Sequence, residues 1–178
     1  VQVYFIDNED FFIHRGLERN ADGQLCDDNG ERAVFFARGV LETVKKLRWT
    51  PDVIHCVGWM ASVVPFYIRK AYADEPRFQN VKIVSSLFDK DISGTIGEKF
   101  KNSLIFKNLS LEMLGKYNDD FDMHELQKLA VDYSDGIIEI AENNDEAMAA
   151  YIRQANIPML PFPGDDFSDK YREFYSSL

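Results

Sequence analysis

The stretch Pro51-Asp52-Val53-Ile54-His55-Cys56-Val57-Gly58-Trp59 decides the fold. A proline and an aspartate mark its entry. Val53, Ile54, Cys56 and Val57 read as a short apolar strand buried on both faces. Gly58 breaks the run. From Trp59 to Tyr72 the apolar residues then fall at helical spacing. Strand, tight turn, helix is the unit on which open α/β sheets place ligands, outside the carboxyl ends of their strands. This reading puts His55 at that end and makes it the first candidate for a site.

Outward from this unit the same alternation continues. Val1 to Ile6 reads as an earlier strand, ending at Asp7-Asn8, and Glu9 to Arg15 as a short helical turn. A loop rich in Asp, Asn and Gly covers 20–30, with Asn29 as an N-cap. From Glu31 to Leu47, apolar Val34, Phe35, Ala37, Val40, Leu41, Val44 and Leu47 follow a 3.6 period, which predicts a helix. Val81 to Val84, running on into Ser85, Ser86, Leu87 and Phe88, predicts a third strand. Residues 89–103 have no clear period and make a long connection. A short helix is expected within 104–114 and a longer one over 123–133. Ile137 to Ile140 predicts a fourth strand and 145–154 a helix. Ile157 to Leu160 reads as a short edge strand, because it contains Pro158. A last helix is expected over 165–177, carrying Phe167, Tyr171, Phe174 and Tyr175. Strands alternating with helices imply one α/β, Rossmann-like domain over 1–178, with a mainly parallel sheet and flanking helices.

Composition narrows the partners. The 178 residues carry a formal net charge of −10, and 46% of them are hydrophobic. Such a surface repels phosphate backbones and anionic lipid, so neither nucleic acid nor a membrane is an expected partner. No apolar run approaches the roughly 20 residues of a membrane span. Two separated cysteines, Cys26 and Cys56, argue for a reducing compartment and a cytoplasmic location. The three histidines are scattered, no CxxC occurs, and neither a metal nor a cofactor is expected. Gly94 and Gly97 lack the setting of a phosphate loop.

Each chemical candidate has a plainer alternative. His55 is either a ligand-facing imidazole or a buried histidine hydrogen-bonded within the fold, and the spacing does not choose between them. For Asp7-Asn8, a turn or helix cap is the stronger reading. Glu139 and Glu142 read as two solvated charges rather than an acid–base pair. The aromatic stripe of the last helix can stack on sugar rings, although such a stripe more commonly packs on a core.

Three colinear segments resemble the bacterial glycogen and starch synthases. Tyr4-Phe5-Ile6-Asp7-Asn8, with Phe11-Phe12 and Gly16, is similar to that family's (Y/F)-(L/F)-I-D-(N/H) segment. The run from Asp28 to Arg38 is similar to its D-N-x-E-R-F-x-F-F-S-R segment. The stretch from Pro51 onward is similar to P-D-I-I-H-C-H-D-W-H/Q-T-A-L-x-P. The resemblance covers residues 1 to about 90 well and 120–155 loosely.

It implies part of the N-terminal domain of a GT-B glycosyltransferase, an enzyme that transfers glucose from ADP-glucose to an α-1,4-glucan. The implied partners are an α-glucan and ADP-glucose. The implied substrate-binding residues are Asp7, Asn8, His55, Trp59 and Asp89, and no catalytic residue is assigned. The first strands, the K-x-G-G-L loop and the C-terminal nucleotide-sugar domain of that family are expected outside these 178 residues, upstream and downstream.

Several positions depart from the family pattern. Its His-Asp after the cysteine is Val57-Gly58 here, its His-Asn after the third strand is Phe88-Asp89, and its Ser-Pro after the fourth strand is missing. In the family the histidine replaced by Val57 lies against the donor glucose. These departures imply a chain inactive by itself. The alternative is a non-catalytic glucan-binding, regulatory or partner-docking module on a degenerate glycosyltransferase fold. A third and weaker reading is an unrelated nucleotide-binding α/β domain.

Overall fold

A computed structural model describes residues 1–12, 16–87, 94–96, 99–140, 145–165 and 167–178. Four strands form one parallel sheet: β1 (Val53–Val57), β2 (Lys82–Leu87), β3 (Gly136–Glu139) and β4 (Met159–Leu160), side by side in chain order. His55 pairs with Val84, and Val84 pairs with Gly136. The helices are α1 (Glu9–Phe12), α2 (Asn29–Lys46), α3 (Val64–Arg69), α4 (Phe100–Ser103), α5 (Met123–Asp132), α6 (Glu146–Ala155) and α7 (Phe167–Ser177). A 3₁₀ turn, Trp59–Val63, joins β1 to α3.

Sequential parallel strands joined by right-handed crossovers send every connecting helix to the same face. α3, α5 and the 3₁₀ turn accordingly form one layer on that face, joined by α6, and α2, which precedes β1, packs against α3 and the 3₁₀ turn. Cys56, Ile83 and partly buried Ile54 point into this layer, among Ala37, Leu41, Phe66, Tyr67, Leu126 and Leu129. A second cluster of Leu87, Val131, Ile137, Met148 and Ile152 extends it under α6. Local signals agree with the elements. Asp122 caps α5 by accepting from the Glu125 amide, and Asp145 caps α6 by accepting from the Met148 amide. Asn156 closes α6 in the left-handed conformation. Asp135 fixes the start of β3, since its Oδ2 accepts from the Ile83 amide at 2.7 Å and from Arg69 Nη2 at 2.6 Å.

The opposite face presents His55, Val84, Ser86, Gly136 and Ile138, because strand side chains alternate. α7 packs on it. A Cβ built on Gly136 would lie 2.9 Å from the Phe174 ring and 3.1 Å from Leu178. Only a glycine lets α7 come this close.

Two expectations change and one is refined. The apolar run 1–6 is not a strand: it pairs with no described segment, and Phe5 is 91% exposed. β-propensity expresses itself only where a neighbour takes the ladder hydrogen bonds. The short helix expected within 104–114 is present, in 3₁₀ rather than α form, over Leu111–Leu114, after α4 has ended at Ser103. Asn29 is the first residue of α2 rather than its cap. Its Nδ2 donates to the Glu18 carbonyl instead, at 2.9 Å.

Candidate functional site

His55 is the third of five residues in β1, two short of the strand's end. Its side chain faces α7. Nε2 lies 2.6 Å from Ser86 Oγ, and Nδ1 lies 2.7 Å from the Tyr175 hydroxyl. The rings of Tyr171 and Tyr175 meet the imidazole edge-on at 5.6 and 5.8 Å. Burial holds the imidazole below its ordinary pKa, so the neutral form is favoured. A neutral imidazole has one donor and one acceptor, and each neighbouring hydroxyl can complement either. A serine beside a histidine can be an activated nucleophile. Ser86 is buried, however, so this trio joins β1, β2 and α7 rather than facing a substrate.

The carboxyl end of β1 belongs to Val57, which is 58% exposed. Gly58 follows with φ 86° and ψ 159°, a conformation essentially reserved for glycine. It turns the chain into the 3₁₀ segment and folds Trp59 under the sheet edge. Trp59 is 93% buried within the core cluster, and its indole Nε1 has no hydrogen-bond partner. Asn8 caps α1: its Oδ1 accepts from the Asp10 and Phe11 amides at 2.9 and 3.2 Å. Asp7 is exposed beside it. Asp89 lies outside the described residues, as do Phe88 and Glu142. Of the five candidates, His55 and Trp59 thus come from one strand–turn unit, and Asn8 serves as a cap.

The Asp28-to-Arg38 segment has a different part. Arg32 is fully buried. Its Nη1 donates to the carbonyls of Gly16 and Leu17 at 2.9 and 3.2 Å, and its Nε stands 3.1 Å from Asp28 Oδ1 without hydrogen-bond alignment. With Asn29, it ties the loop before α2 to the helix. Beside that loop, Asp27, Glu31, Thr95 and Lys99 border an open cleft of about 490 Å³. A second hollow, about 300 Å³, lies just past β3 between Ile140, the 162–165 loop and the start of α7. Among the described residues no group of three or more His, Cys, Asp or Glu is placed to hold a metal ion. No described helix is long and apolar enough to cross a membrane.

Sequence reasoning missed the partners of His55. Ser86 was legible, two positions from Val84 on the same strand face. Tyr175 was legible only as part of an aromatic stripe.

The starch synthase catalytic domain model matches residues 1–146. The chain belongs to the starch synthase catalytic-domain family. It is 31% identical to a glycogen synthase of Clostridium perfringens over 147 residues, covering 79% of this chain and 28% of that protein. It is 35% identical to a glycogen synthase of Chlorobaculum parvum over 138 residues, 76% of this chain and 27% of that one. A glycogen synthase of Chlorobium phaeobacteroides shares 34% over 124 residues, 69% of this chain and 25% of that one. The chain therefore spans about a quarter of the length of these curated relatives. No solved structure matches it.

The starch synthase match stops at Glu146, the first residue of α6. Nearly all of α6, and the whole of β4 and α7, lie beyond it. The hydroxyl on His55 Nδ1 comes from that outlying part, while Ser86 comes from inside the match.

Proposed function

We propose that these 178 residues are the glucan-holding half of a starch-synthase-type glycosyltransferase site, and that they do not themselves transfer glucose from ADP-glucose. One observation carries the reading. At the carboxyl end of β1, where the resemblance expects a histidine against the donor sugar, the exposed side chain is Val57. Valine neither donates nor accepts a hydrogen bond, so it cannot orient a sugar hydroxyl or stabilise charge that develops during transfer. His55 does not replace it, since both ring nitrogens are engaged inside the fold. The α-glucan is the partner this reading retains, and ADP-glucose is at most a weakly held one. Free Cys26 and Cys56 support a reducing, cytoplasmic setting.

The test is incorporation of radiolabelled glucose from ADP-glucose into maltohexaose and glycogen by the purified chain. The Clostridium perfringens glycogen synthase runs alongside as a comparison. We expect this chain to give no incorporation above a protein-free blank. Incorporation that rises in proportion to its concentration overturns the reading.

A further inference from the structure

We propose that the hollow between the 162–165 loop and the start of α7 seats a glucosyl residue of an α-1,4-glucan. This rests on the glucan-holding reading above and assigns it to a place outside the starch synthase match. Three observations meet there.

The first is position. Ile140 follows the end of β3, so the hollow opens at the carboxyl edge of the sheet, where open α/β folds take their ligands.

The second is chemistry. Phe162, Phe167 and Tyr171 line the hollow together with the carboxylate-bearing Asp165. Phe162 is 40% exposed and Phe167 48%, although large apolar rings are normally withdrawn from water. A sugar ring has apolar C–H faces and a rim of hydroxyls. Aromatic faces take the first, and a carboxylate accepts hydrogen bonds from the second. At about 300 Å³ the hollow is at the small end of ligand sites, the scale of a ring rather than of a nucleotide sugar.

The third is preorganisation. Phe162 stands between Pro161 and Pro163, whose rings fix φ on either side of it. The Pro163 carbonyl accepts from Lys170 Nζ at 2.8 Å, which ties the loop to α7. Rings held in place before the ligand arrives lose little freedom on binding. Phe167 stacks at a tilt on Tyr171 at 5.2 Å, and Tyr171 in turn touches His55. A sugar on Phe167 is therefore two ring contacts from an imidazole with its own NMR signals.

The experiment titrates maltohexaose while following the His55 imidazole and backbone amide signals, with retardation in glycogen-containing native gels as a second readout. It compares the parent chain with Phe162→Ala, Phe167→Ala and, as an exposed aromatic elsewhere, Phe5→Ala. Circular dichroism melts confirm that each variant is folded. We expect millimolar binding that moves His55, affinity at least tenfold weaker in the two hollow variants, and no change for Phe5→Ala. If the parent binds glucan and Phe162→Ala and Phe167→Ala bind equally well, the hollow is not the seat, and the glucan-holding reading stands without it. If the parent binds no glucan, both fall. Binding lost in the hollow variants alongside glucose incorporation by the parent keeps the hollow and overturns the non-catalytic reading.

Discussion

His55 Nδ1 lies 2.7 Å from the Tyr175 hydroxyl, across 120 positions of sequence. This contact joins the strand that organises the family match to a helix outside it. Tyr175→Phe keeps the ring and removes the hydroxyl, leaving a half-buried imidazole nitrogen without its partner. We expect a loss of about 1–2 kcal/mol, read as a lower urea midpoint with an unchanged m-value.

The same burial makes stability depend on pH. The folded protein holds His55 below its ordinary value of 6.5, whereas the unfolded chain titrates there. As pH falls through about 6.5, the unfolded state takes up the proton first, so stability drops until the folded-state pKa is reached and then levels off. Above 6.5 both states are neutral and this contribution is fully present. Urea midpoints should decline as pH falls below about 6.5, and the decline should be shallower in His55→Gln.

Gly136→Ala places a methyl carbon 2.9 Å from the Phe174 ring and forces α7 outward. Overpacking of this kind costs about 1–3 kcal/mol. Phe174→Leu on the same chain should recover much of the loss. Thermal melts of the four members of the cycle measure the coupling, and strict additivity would contradict the packing described.

Returning the family's residues to the end of β1 should have unequal effects. Val57 is largely exposed, so Val57→His should change stability by less than about 0.5 kcal/mol. Gly58 has φ 86°, so Gly58→Asp should cost about 1–3 kcal/mol. Differential scanning calorimetry of the two variants makes the comparison.

Arg32→Met removes the cation from a fully buried position and frees the Gly16 and Leu17 carbonyls. Breaking such a buried charged arrangement costs on the order of 3 kcal/mol. The 20–25 loop should become the first site of cleavage in limited proteolysis, earlier than in the parent chain.

The sheet was legible from sequence because each strand is a short apolar run between amphipathic helices, and these two periods differ. Val1 to Ile6 shows the limit: six residues with strand chemistry pair with no described segment, because pairing needs a neighbour that composition does not reveal. The candidate site was legible only in part. Asn8 is a cap, as its position after an apolar run suggested. His55 had two readings, and the choice between them rests on Ser86 and Tyr175. The second of these is so distant in the chain that no local pattern points to it. The burial of Trp59 depends on the turn at Gly58. The Phe162–Phe167 hollow needs a loop folded back on a helix, an arrangement with no period at all.

The arrangement of crossover helices on one face and α7 on the other also sets an order of events on the ribosome. Strands and helices up to residue 160 can pair and pack as they emerge, each against its sequence neighbours. The face bearing His55, Val84 and Ile138 has to wait for residues 167–177. Until these leave the exit tunnel, that apolar surface is open to water and to neighbouring nascent chains. The quality of this face's synthesis therefore depends on the eleven residues of α7 arriving promptly.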